Sequence, residues 1–252
     1  PLNISYNQFE YKKNKIPLID QNGTGGYTFT LNSDLDANAA AKASFTKALD
    51  QWKCNTGVNI TLAPTTTTTT CSNQLDNMNI ISFASSSCAL PAGALAVTYS
   101  SYTLCAGSPI IPDGIDMIFS PTANFYFGSD ATPLNQYDFE SVALHELGQA
   151  FGEGHSSNNS EIMYPSIANG VSKRILNPAT DIISVNDIIA RSAANSYCGY
   201  SRHRLQTTNC NSNAQMVPIT TQFSADKTVG CAPLTVNFSD QSMGAPTSWR
   251  WD

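Results

Sequence analysis

His145, Glu146, Gln149 and His155 stand at spacings that suit metal-assisted hydrolysis. The stretch reads His145-Glu146-Leu147-Gly148-Gln149-Ala150-Phe151-Gly152-Glu153-Gly154-His155. Residues four apart share one face of a helix, so His145 and Gln149 point the same way. Glu146, one residue round, can reach a water held beside them. Gly152 permits a sharp turn that a residue bearing a Cβ resists, and the turn swings His155 back. That is the layout of a catalytic zinc site, with a water position left open. Gln149 departs from it, because an amide oxygen is a neutral, weak donor where imidazole is a preferred zinc ligand. Glu153 reads either as a solvated turn residue or as a carboxylate compensating near the metal. Two of the three histidines in the chain fall in this window; His203, between Arg202 and Arg204, reads as an ordinary surface residue.

These groups need a rigid frame. A helix is expected from about Asp138, whose carboxylate can cap it and complement the dipole, with Val142, Leu144, Leu147, Ala150 and Phe151 as its apolar surface. Upstream, Tyr27-Thr28-Phe29-Thr30-Leu31 alternates as a strand. A helix from about Ala37 to Cys54, capped by Asn32, Ser33 or Asp34, buries Ala41, Phe45, Ala48, Leu49 and Trp52. Further strands are expected near Val58–Leu62, Asn79–Ala84, Ala94–Ser100 and Ile115–Phe119. A last helix is expected from Ser184 to about Tyr197, with Val185, Ile188, Ile189 and Ala193 buried. The threonine run Thr65–Thr70 reads as an exposed loop. Strand, helix, several short strands and a long helix together make a mixed sheet with helices packed on it.

The 252 residues are 41% apolar, enough for a large core, and only 13% charged, about half the usual share. A net charge of −6 and a pI near 4.9 argue against nucleic acid or an anionic membrane as partner. No stretch is long and apolar enough to span a membrane. The seven cysteines lack Cys-x-x-Cys pairs, which fits structural disulfides in an oxidising compartment. Near-neighbour pairing gives Cys54–Cys71, Cys88–Cys105 and Cys198–Cys210, with Cys231 left over. Starting at Pro1, the chain reads as a processed or excerpted piece of a secreted protein.

The central stretch resembles the zinc signature of the metzincin metalloproteases, His-Glu-x-x-His-x-x-Gly-x-x-His followed by a methionine turn; Gln149 stands at the second histidine. Met163-Tyr164-Pro165 is close to the turn of the matrixin branch. Gly93-Ala94-Leu95-Ala96-Val97 resembles the matrixin edge strand, and Ser184-Val185-Asn186-Asp187-Ile188 the start of the closing helix. The resemblance implies an α+β fold with a mixed, mostly parallel twisted sheet, an active-site helix and a C-terminal helix. It implies one catalytic Zn2+ on His145, Gln149 and His155, with Glu146 as general base and Met163 as a hydrophobic floor. Ala94, Leu95 and Ala96 are expected to pair with an extended peptide substrate, and Pro165, Ser166 and Ile167 to line the pocket just past the cleaved bond. Tyr164 is not expected to bind metal.

Ca2+ is a second candidate ion, with Asp34, Asp36, Asp113, Asp116 and Asp130 near turns, but no loop has EF-hand spacing. The segment Cys231–Asp240 with Trp249-Arg250-Trp251-Asp252 resembles the opening of a PKD-type immunoglobulin-like domain. It is too short to close a β-sandwich of about 100 residues. The organisation expected is a catalytic domain over 1–215 and the start of an all-β domain over 216–252. Two functions follow: a secreted, monomeric zinc endopeptidase weakened by Gln149, or a catalytically silent metzincin-fold binding or scaffold module.

Overall fold

The alternation in Tyr27–Leu31 makes one face of that strand apolar, and Tyr27, Phe29 and Leu31 are all buried. The computed structural model describes residues 18–21, 23, 25–68, 78–86, 88–100, 103–105, 108–110, 114–194, 199–205, 223–230 and 234–240. In chain order the elements are β1 (Tyr27–Leu31), α1 (Ser33–Ala37), α2 (Ala39–Thr56), β2 (Ile60–Leu62), β3 (Ile80–Phe83), β4 (Ala96–Ser100), β5 (Thr103–Cys105), β6 (Ser108–Ile110), β7 (Ile115–Phe119), β8 (Phe125–Tyr126), β9 (Tyr137–Asp138), α3 (Phe139–Ala150), α4 (Ile183–Ala194), β10 (Phe223–Ala225) and β11 (Phe238–Asp240).

The main sheet has the order β2-β1-β3-β7-β4. All its pairings are parallel except β4 with β7, which is antiparallel. This is the mixed, mostly parallel sheet of the expected α+β class. Strand β7 is buried at every position, as an inner strand covered on both faces must be. Buried polar side chains tie the strand starts together. Asn79 accepts the Ile115 N–H at 2.8 Å and donates to the Thr28 carbonyl at 2.9 Å. Asp116 accepts the Ile80 N–H at 2.8 Å.

One core joins Phe29, Ile81, Met117 and Phe119 of the sheet to Phe45 and Trp52 of α2 and Leu144 and Leu147 of α3. The first helical region differs from expectation, being two helices rather than one. Asn32 caps α1 through the Asp34 N–H, and Asn38 caps α2 through the Ala41 N–H. A second short polar side chain thus offers the backbone an alternative to continuing the helix. Gly57, with φ of 70°, ends α2.

Helix α4 follows a π-helical turn, Pro178–Ile182, and buries Val185, Ile188 and Ile189. The pairs β5–β6 and β8–β9 were not foreseen, each strand being too short to show a period. Cys54 and Cys88 are both disulfide-bonded; the remaining pairing expectations lie outside the described residues. So do Asp113, the rest of the threonine run and most of the PKD-like tail, of which β10 and β11 form an antiparallel pair. No helix among the described residues is long and apolar enough to cross a membrane.

Candidate active site

Helix α3 carries the reactive stretch, and both its ends are fixed. At the start, the buried Asp138 Oδ1 accepts the Ser141 N–H at 2.8 Å. Arg174 lies against both carboxylate oxygens in an ion pair. Burial pushes the Asp138 carboxyl up, but the hydrogen bonds from Arg174 and Ser141 outweigh it and hold the group below the usual carboxylate range. Phe139 packs among Phe119, Phe125 and Phe127, with ring centroids 4.7–5.2 Å away. From α2, the Trp52 indole donates to the Leu144 carbonyl at 3.0 Å and meets Phe151 edge-on.

At the other end the Glu153 N–H bonds the Gly148 carbonyl and the Gly152 N–H the Gln149 carbonyl, both at 2.9 Å. With Gly152 at φ of 91° this is a Schellman stop. It turns the chain so that His155 returns toward His145, the two rings lying 5.2 Å apart.

The ring of His145 is oriented by its far nitrogen. Nδ1 lies 2.9 Å from the Ile162 carbonyl, which can only accept, so Nδ1 carries the proton and Nε2 presents a lone pair. Burial pushes the His145 pKa down to about 4, keeping the ring neutral. Between the imidazoles lies the Gln149 amide. Its nitrogen is 2.9 Å from His145 Nε2 and 2.8 Å from His155 Nε2. The neutral His145 tautomer requires the amide to donate here, so Nε2 rather than Oε1 faces that ring. The displaced Oε1 is buried without a hydrogen-bond partner. One turn away the Glu146 carboxylate accepts a hydrogen bond from Thr98 Oγ1 at 2.6 Å; burial raises its pKa to about 7.

These groups open onto a cleft of about 440 Å³. Ala94, Leu95 and Ala96 line it where the chain enters β4, the last strand of the sheet among the described residues. Pro165, Ser166 and Ile167 line it too, as do Val142 and Ile162. Met163 is buried behind the site rather than in the cleft wall. A Cβ on Gly148 would come within 2.5 Å of Met163 Sδ, so the bare glycine lets the methionine pack against α3. The Ser156 N–H to Met163 carbonyl bond, 2.8 Å, ties the loop after His155 to this turn.

The structure therefore gathers His145, Glu146, Gln149 and His155 at one cleft, which residues 94–96 and 165–167 also line. Two expectations fail. Glu153 is buried instead of solvated and does not line the cleft; the Schellman turn folds it inward. His203 is buried rather than on the surface, because its Nε2 accepts the Asn59 N–H at 3.0 Å. Thr98 and Lys173 also border the site. Thr98 lay within an expected strand, but nothing local marks either as a neighbour of Glu146 or of the cleft.

Among the described residues no three His, Cys, Asp or Glu side chains gather as a metal site. The group that meets both imidazoles is the Gln149 amide. The calcium candidates are likewise dispersed: Asp36 pairs with Lys42, and Asp116 serves Ile80.

Comparison with known families decides what this arrangement descends from. The matrixin family model matches residues 21–189, more than half of the chain. The chain belongs to the matrixin family. Short segments of this matrixin also match curated proteins. Metalloendoproteinase 2-MMP of Arabidopsis thaliana is 56% identical over 36 residues, 14% of this chain and 10% of that protein. Metalloendoproteinase 1 of Glycine max is 61% identical over 31 residues, 12% of this chain and 10% of that protein. The matches span about one-tenth of the length of either relative.

Proposed function

We propose that this matrixin is a secreted zinc-dependent endopeptidase acting on extended peptide segments of extracellular proteins, with its hold on the metal weakened by Gln149. The observation that carries the reading is the convergence of two imidazole Nε2 atoms and Glu146 on one cleft. The residues fit zinc as a set of two imidazoles and one amide. His145 Nε2 and His155 Nε2 would be two of the donors, and the buried, unpartnered Gln149 Oε1 would supply the third with the amide reversed. The His145 bond to a backbone carbonyl is the outer-shell contact that zinc-binding histidines use.

Zinc held there would supply an electrophile for the scissile carbonyl and lower the pKa of its water. Glu146 would take a proton and return it to the departing amine, while Thr98 orients its carboxylate. The stretch Ala94, Leu95 and Ala96, where β4 ends the sheet among the described residues, would hold the substrate as an added strand. Pro165, Ser166 and Ile167 would contact the side chain past the cleaved bond. Residues 1–215 would form this catalytic unit and 216–252 the start of a PKD-type domain.

A second reading has its own observation. The Gln149 amide nitrogen contacts both imidazole lone pairs, so the pair is satisfied with no metal, as in a silent binding or scaffold module. Zinc stoichiometry and peptide hydrolysis of this chain, beside Gln149→His and Glu146→Ala, separate the two. One zinc and hydrolysis that disappears in Glu146→Ala support the enzyme. Zinc and activity only in Gln149→His support the silent module. Zinc in neither protein overturns the reading of the site.

A further inference from the structure

We propose that Lys173 makes the cleft selective for a substrate carboxylate, in the first place an Asp or Glu side chain of the bound peptide. The inference rests on the reading of the cleft as a peptide site and adds the substrate class that it takes.

Lys173 lines the cleft together with Ser141, Ile162, Tyr164 and Pro165. Its position is built rather than incidental. Its backbone N–H donates to Ser141 Oγ at 2.6 Å, fixing the segment onto α3. Its Nζ donates to the Glu161 carbonyl at 3.0 Å and lies 5.4 Å from the Tyr164 ring centroid. Both contacts hold the ammonium beside the methionine turn, and neither neutralises it. The ion pairs among the described residues are Lys42–Asp36, Arg174–Asp138 and Arg191–Asp187, so Lys173 has no carboxylate partner among them.

Arg174, next in the chain, is absorbed by Asp138 and leaves Lys173 as the cation of this wall. Partial burial lowers the Lys173 pKa. An ammonium with N–H capacity to spare, held in a cleft, gains from an anion that brings its own oxygen acceptors. Two sources present the same chemistry to it: an acidic side chain within the peptide, or the peptide's terminal carboxylate.

The test is binding, which does not require turnover. The Glu146→Gln chain is titrated into labelled peptides, identical except for Glu, Gln, Leu or Lys walked along each position, each made with a free and an amidated C-terminus. Fluorescence anisotropy reads the affinity. At one position Glu is expected to bind roughly five- to tenfold tighter than Gln. The preference should persist in Lys173→Arg, vanish in Lys173→Met and reverse toward a Lys-bearing peptide in Lys173→Glu. If only the free C-terminus confers the gain, the carboxylate site stands with the terminal carboxylate as its ligand.

Equal affinity of acidic and neutral peptides overturns the proposal while leaving the peptide cleft intact. So does a preference that survives Lys173→Met. If no peptide binds, neutral ones included, the peptide-cleft reading fails and takes this inference with it.

Discussion

His145 and His203 are both buried, and burial pushes both pKa values down to about 4, yet they serve the molecule differently. His145 donates from Nδ1 to a carbonyl and directs Nε2 at Gln149 and the cleft. His203 turns Nε2 inward to the Asn59 N–H, its ring 6.0 Å from that of Tyr27. Around it the Ile19–Arg202 bridge and the bond from the Asp20 N–H to the Ser201 carbonyl join residues 18–20 to 201–204. The same side chain under the same desolvation is a presented donor in one place and a sealed joint in the other. What separates them is where the free nitrogen points, and a pKa alone does not report it.

The largest effect should come from the frame of the presented histidine. Asp138→Asn removes a buried charge that caps α3 and leaves Arg174 uncompensated. It is expected to destabilise the fold by about 3–5 kcal/mol, measured by urea denaturation near neutral pH. The His203→Gln variant at the same pH should lose less, since no charge is stranded.

The sealed histidine should show itself through pH. With a folded pKa of about 4 against an unfolded value of about 6.5, the unfolded chain binds more protons between these limits. The stability from His203 is therefore fully present above about pH 6.5 and is lost as pH falls toward 4. The loss is on the order of 3 kcal/mol. Comparing denaturation of the chain and His203→Gln across that window isolates it. Parallel pH profiles would mean that His203 is not held neutral in the fold.

A smaller effect is expected at Gly148. Alanine there puts a Cβ within 2.5 Å of Met163 Sδ and 3.2 Å of the Trp52 ring, so either the methionine or α3 must shift. About 1–3 kcal/mol of stability should be lost, with a lowered melting temperature. Unchanged stability would show that Met163 has another rotamer available.

The smallest is Gln149→Leu in metal-free protein. It removes two hydrogen bonds, to His145 and His155, and also the buried, unpartnered Oε1. These oppose each other, so a net change of about 1 kcal/mol or less is expected in chelator-treated samples. A much larger loss would make the amide a structural clasp, and would bring the presented histidine closer to the sealed one.

The reactive stretch was legible because its geometry is local. Helical spacing places His145 and Gln149 on one face, Asp138 supplies a cap, and Gly152 allows the turn that returns His155; each depends on residues within a few positions of one another. The strands at Tyr27–Leu31 and Ile115–Phe119 were legible for the same reason, as short-range apolar patterns. The break at Asn38 was not, since Asn32, Ser33 and Asp34 offered caps enough for one continuous helix.

Only the tertiary structure decided the rest. His203 is buried by a bond to Asn59, which is 144 residues away in the chain. Thr98 meets Glu146 because an edge strand passes α3, and Lys173 enters the cleft because Ser141 fixes its backbone. Gln149 could be read as a weak ligand from its chemistry alone. That its nitrogen bridges both imidazoles while its oxygen is left without a partner follows from the tautomer that the Ile162 carbonyl imposes on His145, and that carbonyl comes from a different segment. Local periodicity set the order of the reactive groups along α3, whereas contacts between distant segments decided which atoms of those groups meet.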